Sequence, residues 1–153
     1  MNIVLVAPLV PQNTGSIARL TAATNCLLHL IEPLGFKLED RYLKRAGLDY
    51  WPEVRMLVHS NWDKFLAATQ AAAEKIWLFS SHATTNYWDV KYSSGDYLVF
   101  GNEGSGLPQH LHELYANHRC LIPMDNPKVR SLNLANAASI VLYEARRQLS
   151  LDH

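Results

Sequence analysis

A chain of 153 residues, 48% of them apolar, is the size of one domain and has enough apolar material for one core. Its 14 Lys and Arg balance 14 Asp and Glu, which excludes the uniformly basic surface of an indiscriminate polyanion binder; any nucleic-acid role must rest on a local patch. Cys26 and Cys120, both in apolar surroundings, read as buried thiols of a reducing compartment. No run reaches the roughly 20 apolar residues of a membrane helix, the start lacks a basic signal region, and the seven histidines form neither an HExxH nor a Cys/His ligand spacing. The expectation is a cytoplasmic protein with no membrane segment and no metal.

Asn2–Val6 reads as a strand, and the loop 7–13 leads to a helix over 14–24 with Asn13 or Thr14 available as its N-cap. Residues 26–31 form the second strand, broken by Glu32-Pro33-Leu34-Gly35; a short helix over 39–46 follows, closed by Gly47. Residues 53–58 read as a strand, 61–73 as an alanine-rich helix opened by Asn61, and 75–79 as a strand buried on both faces. The strand Tyr97–Phe100 runs straight into Gly101-Asn102-Glu103-Gly104-Ser105-Gly106, and a helix spans 108–115. Residues 119–122 form the last strand, and Ser131 caps a final helix reaching Leu149. This alternation predicts an α/β fold, a parallel sheet flanked by helices. With no repeat and no linker, residues 1–153 read as one domain.

In such sheets ligands sit at the carboxyl ends of the strands, and three of the loops there are unusual. The first places Asn13 at a helix start with Arg19 six residues on: either a phosphate-holding helix end with a guanidinium, or a capping amide and a solvated Arg. The second has three glycines in six residues around one carboxylate, Glu103, which suits close main-chain approach to a ligand as well as a tight turn. Its order is not that of the G-x-G-x-x-G dinucleotide fingerprint, which speaks against a nicotinamide-type enzyme. The third sets Asn133 and Asn136 near one face of the last helix, with Ala137, Ile140, Val141 and Glu144 on adjoining positions. The amides need either a ligand or neighbouring backbone as partner. The small residues Ala135, Ala137, Ala138 and Ser139 suit close packing of another helix, so a subunit interface is expected there.

Three segments in this order, Asn13-Thr14-Gly15 with Arg19, Phe100-Gly101-Asn102-Glu103-Gly104-Ser105-Gly106-Leu107-Pro108, and Ile122-Pro123-Met124 with Ser131-Leu132-Asn133-Leu134, resemble the motifs of the SpoU-like branch of the SPOUT RNA 2′-O-methyltransferases. Ile31-Glu32-Pro33-Leu34-Gly35-Phe36, Arg45-Ala46-Gly47-Leu48-Asp49-Tyr50 and Tyr143-Glu144-Ala145 extend the likeness along the chain. They point to the small tRNA (cytidine/uridine-2′-O)-methyltransferases of the wobble nucleotide. The resemblance implies a parallel sheet whose C-terminal part forms a deep trefoil knot, which connection rules alone do not suggest. It also implies a homodimer, a tRNA substrate and S-adenosylmethionine as cofactor.

By the same resemblance, the cofactor is held by Leu78 and Phe79, by Gly101, Asn102, Glu103 and Gly106, by Leu121, Ile122 and Met124, and by Ser131, Leu132 and Asn133. Arg19, Asn13, Glu103 and Asn133 are the implied catalytic set. Arg19 would hold the substrate phosphate and the developing alkoxide, since a guanidinium is a poor proton acceptor; a neutral Arg19 acting as base is the weaker form. Arg41, Lys44, Arg45, Arg55, Lys128 and Arg130 are candidates for a phosphate-binding patch. The competing readings are a SpoU-like enzyme acting at another tRNA or rRNA position, and a non-catalytic RNA-binding dimer of the same fold.

Overall fold

The computed structural model describes residues 1–39, 41, 43 and 49–151. The helix expected over 39–46 and its Gly47 cap lie largely outside the described residues, and Glu39, Arg41 and Leu43 stand in turns.

Seven parallel strands form one sheet: β1 (Asn2–Val6), β2 (Leu27–Ile31), β3 (Arg55–His59), β4 (Ile76–Phe79), β5 (Thr85–Asn86), β6 (Tyr97–Phe100) and β7 (Arg119–Leu121). Their order is β3-β2-β1-β6-β4-β7-β5. Side chains alternate across a strand, so β1 sends Ile3 and Leu5 to one face and Val4 and Val6 to the other, and all four are buried. That two-sided burial is why the strands read as unbroken apolar runs.

On the Ile3/Leu5 face pack α1 (Pro11–Thr24) and α4 (Leu134–Leu151), through Ile17 and Ala18 and through Leu134, Ala138, Val141, Leu142 and Ala145. The other face is covered by α2 (Trp62–Thr69) and α3 (Gln109–Leu114), through Trp62, Phe65 and Leu111. The α4 stripe differs from the expected one: Asn133 and Ile140 are exposed, and the buried residues recur at 134, 138, 141, 142 and 145. Among the described helices none is long and apolar enough to cross a membrane.

Three helix starts and ends differ from expectation, each for a local reason. α1 begins at Pro11, and its N-cap is Val10, which has no capping side chain; a proline suits the first turn because the missing N–H is unpaired there anyway. α2 ends early because Gln70 takes a left-handed conformation (φ 51°) and returns its N–H to the Leu66 carbonyl. α4 starts at Leu134, so Asn133, not Ser131, is its cap: Asn133 Oδ1 accepts from Ala135 N at 2.9 Å and Asn136 N at 3.2 Å. The two-residue β5 beside β7 is too short to leave a sequence pattern.

The C-terminal path doubles back. β7 lies beyond β4 from β6, yet α4, which follows β7, returns to pack on β6 and α1. Its Gln148 accepts from Tyr92 N at 3.0 Å and donates to the Val90 carbonyl at 3.1 Å, fastening the last helix to the segment that follows β5.

Candidate active site

The loops predicted to carry chemistry leave the C-terminal ends of four consecutive strands, β1, β6, β4 and β7. The register places Leu5 opposite Phe100, Phe100 opposite Phe79, and Phe79 opposite Cys120, so the loops depart at one level. Strand order reverses at β1, with β2 and β3 laid down on one side of it and β6 and β4 on the other, which opens a crevice in a parallel sheet.

The 101–106 loop is braced mainly by itself. Asn102 and Gly106 exchange two main-chain hydrogen bonds, and Asn102 Oδ1 accepts from Gly104 N (2.9 Å), Ser105 N (2.7 Å) and Ser105 Oγ (3.2 Å). Gly106 has φ +71°, and a Cβ on Gly101 would strike the Gly106 backbone. Two of the three glycines thus serve the loop's own closure, and the Asn102 carboxamide oxygen is spent within it.

That closure sets Glu103 on the start of α1. Its carboxylate accepts from Leu9 N at 2.8 Å, Val10 N at 3.1 Å and Asn13 Nδ2 at 3.3 Å. The Asn13 Oδ1 in turn accepts from Asn133 Nδ2 at 3.0 Å, and Asn133 caps α4. Glu103, Asn13 and Asn133 therefore form one polar relay joining the loops after β1, β6 and β7. The carboxylate holds the two amides just ahead of α1, at the positive end of that helix, while the first-turn amides of α1 receive no side-chain cap. Glu103 is a brace in this arrangement and not an unengaged base. The sequence did hold a signal for the Leu9 and Val10 amides: a helix opening on Val-Pro, with no Ser, Thr, Asp or Asn ahead of it, needs an acceptor from elsewhere.

Arg19 stands apart from the relay, about 9 Å further along α1. It shares an exposed stripe with Gln12 and Ser16. Its guanidinium lies over the Tyr50 ring, 5.5 Å from the centroid. Gly15, one turn earlier on the same side, lets Leu43 approach, since a Cβ there would strike the Leu43 carbonyl. Burial raises the Tyr50 phenol above its usual range, opposed by the Arg19 charge and helped by Asp49.

The residues expected to hold S-adenosylmethionine fit the group in chemistry. Phe79 and Phe100 stack at 5.0 Å with an interplanar angle of 18°, an apolar floor beneath the loops. Leu132 is 37% exposed, and Leu121, Ile122 and Met124 are half-buried, leaving apolar surface beside main chain after β7. An open cleft of about 420 Å³ lies toward the α3 side, lined by Val6, Ala7, Asn102, Ser105, Gly106, Leu107, Pro108 and Gln109; of the expected cofactor residues it takes in only Asn102 and Gly106. The expected basic patch is divided. Lys128 and Arg130 are exposed after β7, whereas Arg55 begins β3 at the opposite edge of the sheet and bonds the Asn25 carbonyl; Lys44 and Arg45 lie outside the described residues.

Residues 1–143 match the SpoU rRNA Methylase family. The tRNA (cytidine(34)-2′-O)-methyltransferase of Saccharophagus degradans is 50% identical over 149 residues, 97% of this chain and 95% of that protein. A solved structure concerned with 2-OH methylation of C/U34 on tRNA superposes with a TM-score of 0.87 at 44% identity, over 97% of this chain and 95% of that one. The SpoU methyltransferase AviRb from Streptomyces viridochromogenes, solved in complex with the cofactor AdoMet, gives a TM-score of 0.84 at 25% identity, over 98% of this chain and 58% of that one.

Proposed function

The chain belongs to the SpoU rRNA Methylase family, and from that premise we propose that it methylates the ribose 2′-oxygen of a tRNA wobble nucleotide, C34 or U34, using S-adenosylmethionine. The observation that carries this reading is the relay from Glu103 through Asn13 to Asn133, which fixes the Arg19 helix to the loops expected to hold the methyl donor. Relatives named for the same reaction, alike over nearly the whole chain, favour the wobble position over other RNA targets.

When bound, S-adenosylmethionine supplies a methyl group already activated on a sulfonium. The work left to the chain is alignment, exclusion of water and handling of one proton. Main chain of 101–106, 121–124 and 131–133, above the Phe79–Phe100 floor, would hold the donor, with Leu132 adding apolar contact; Leu78, expected in this set, is fully buried on the α2/α3 face and offers only its main chain. Arg19 binds the phosphate next to the target ribose as a forked donor and stabilises the negative charge that builds on the 2′-oxygen as it bonds the methyl carbon; its proton passes to solvent, and the carbon–sulfur bond breaks to leave a neutral thioether. Glu103, Asn13 and Asn133 hold the two halves of the site in register.

The active form in this reading is a homodimer of one knotted methyltransferase domain, 1–153. α4 is the helix that closes the C-terminal thread, and the outward sides of α1 and α4 meet the second copy. Ile140 (37%) and Tyr143 (56%) stand exposed on that side of α4, next to the α1 stripe that holds Arg19. The test is incubation with bulk tRNA and labelled methyl donor, followed by nucleoside mapping by mass spectrometry. Label as 2′-O-methylcytidine or 2′-O-methyluridine at position 34 is expected. Label at another ribose favours the broader SpoU-like reading, and no turnover with intact RNA binding favours the non-catalytic dimer.

A further inference from the structure

We infer that Tyr50 is a positioning residue for Arg19: its ring is the seat on which the guanidinium is held toward the RNA backbone. The inference rests on the reading of Arg19 as the phosphate clamp. Arg19 is an exposed, long side chain on the outer stripe of α1, and left to itself it would spread over many rotamers. The structure places its Cζ 5.5 Å from the Tyr50 centroid, within the range where an aromatic face attracts a cation.

Three further observations show that the contact is built. Gly15, one helical turn before Arg19, is the position where a side chain would strike the Leu43 carbonyl, so the absence of a side chain there keeps that side of α1 open to close approach. Tyr50 Oη lies 3.5 Å from the Gly15 carbonyl, a long hydrogen bond that orients the ring across the helix. Tyr50 also meets Trp51 edge to face, at 6.4 Å and 62°, which limits how far the ring can turn. An aromatic ring engages the face of a guanidinium and not its N–H edge, so the contact is compatible with forked donation to a phosphate. Tyr50 touches neither substrate nor donor in this account and acts only through Arg19.

The experiment compares Tyr50→Phe, Tyr50→Leu and Tyr50→Met. It measures kcat and KM for tRNA, calorimetric binding of S-adenosylhomocysteine, and the side-chain Nε–Hε resonance of Arg19. Tyr50→Phe keeps the ring and is expected to retain kcat/KM within about twofold and the ring-shifted Arg19 signal. Tyr50→Leu and Tyr50→Met are expected to lose about fivefold in kcat/KM, the size of an exposed cation–π contact, and to move that signal while S-adenosylhomocysteine affinity stays unchanged. Normal turnover and an unmoved Arg19 signal in both ring-less variants, with Arg19→Ala inactive, overturn the inference alone. Full activity of Arg19→Ala overturns it together with the clamp reading.

Discussion

Asn133 donates its side-chain N–H to Asn13 Oδ1 at 3.0 Å, so the cap of the last helix is bonded to the first turn of the first helix. Because Asn13 also donates to Glu103, one amide couples the loops after three strands. Asn13→Ala removes both bonds, and Glu103→Gln leaves a single carbonyl oxygen for donors that now use two. Each variant is expected to lose about 0.5–1.5 kcal/mol of stability, the net worth of hydrogen bonds whose partners can turn to water. Each is also expected to lower kcat more than it raises KM for tRNA. Urea titration with steady-state kinetics checks this; an unchanged urea midpoint in both would show that the relay does not brace the site.

Arg19→Lys preserves the charge and removes the planar fork. It is expected to lose most activity, at least tenfold in kcat/KM, with S-adenosylhomocysteine binding within about twofold of the parent protein. Near-normal turnover would exclude a forked contact.

His29 and His59 are stacked and buried, with Nδ1 of the first 2.9 Å from Nε2 of the second, among Phe65, Tyr97 and Trp62. Burial and the His59 charge bring His29 down to about 4 from 6.5, and burial lowers His59 also. Between those pH values the unfolded chain binds more protons than the folded one. Stability is therefore full above pH 6.5 and falls as pH drops toward 4, by on the order of 3 kcal/mol from His29. Urea midpoints from pH 8 to 4 should show this slope, and His29→Phe should flatten it.

Cys120 lies under the sheet with no exposed surface, and burial pushes its thiol up to about 12. A thiol so protonated is a poor nucleophile. Reaction with an aromatic disulfide reagent at pH 8 should be slow in the native protein and fast in denaturant. Rapid labelling of Cys120 in the native state would contradict its placement.

The outward side of α4 is expected to hold the dimer together. Ile140→Asp places a charge there without touching the buried residues Val141 and Leu142, so a shift to monomer in sedimentation with far-UV dichroism unchanged is the outcome expected. A dimer unaffected by Ile140→Asp and by Tyr143→Asp would place the interface elsewhere.

Local rules were enough for some of the strands, though they missed the two-residue β5 and began β3 two residues early, where a 3-10 turn stands. β1 and β6 have the ends the pattern predicts, since apolar runs bounded by polar loops mark buried parallel strands. They failed where the deciding partner is distant. The Leu9 and Val10 amides just ahead of α1 are held by the Glu103 carboxylate, and no window along the chain includes both. Asn133 replaced Ser131 as the α4 cap because both residue types cap equally well, and the relay to Asn13 decides between them. The three glycines were legible as a tight loop, but that two of them close it on itself required the Asn102–Gly106 contact. The return of α4 past β4 to α1 is a matter of chain crossing that periodicity does not encode.

The central claim, transfer to a ribose oxygen at the wobble position, is tested most directly with paired tRNA substrates differing in one atom: cytidine at position 34 against 2′-deoxycytidine at the same position. Methyl incorporation into the first and none into the second, with equal binding of both, is the predicted result. Comparable incorporation into the deoxy substrate would contradict the account.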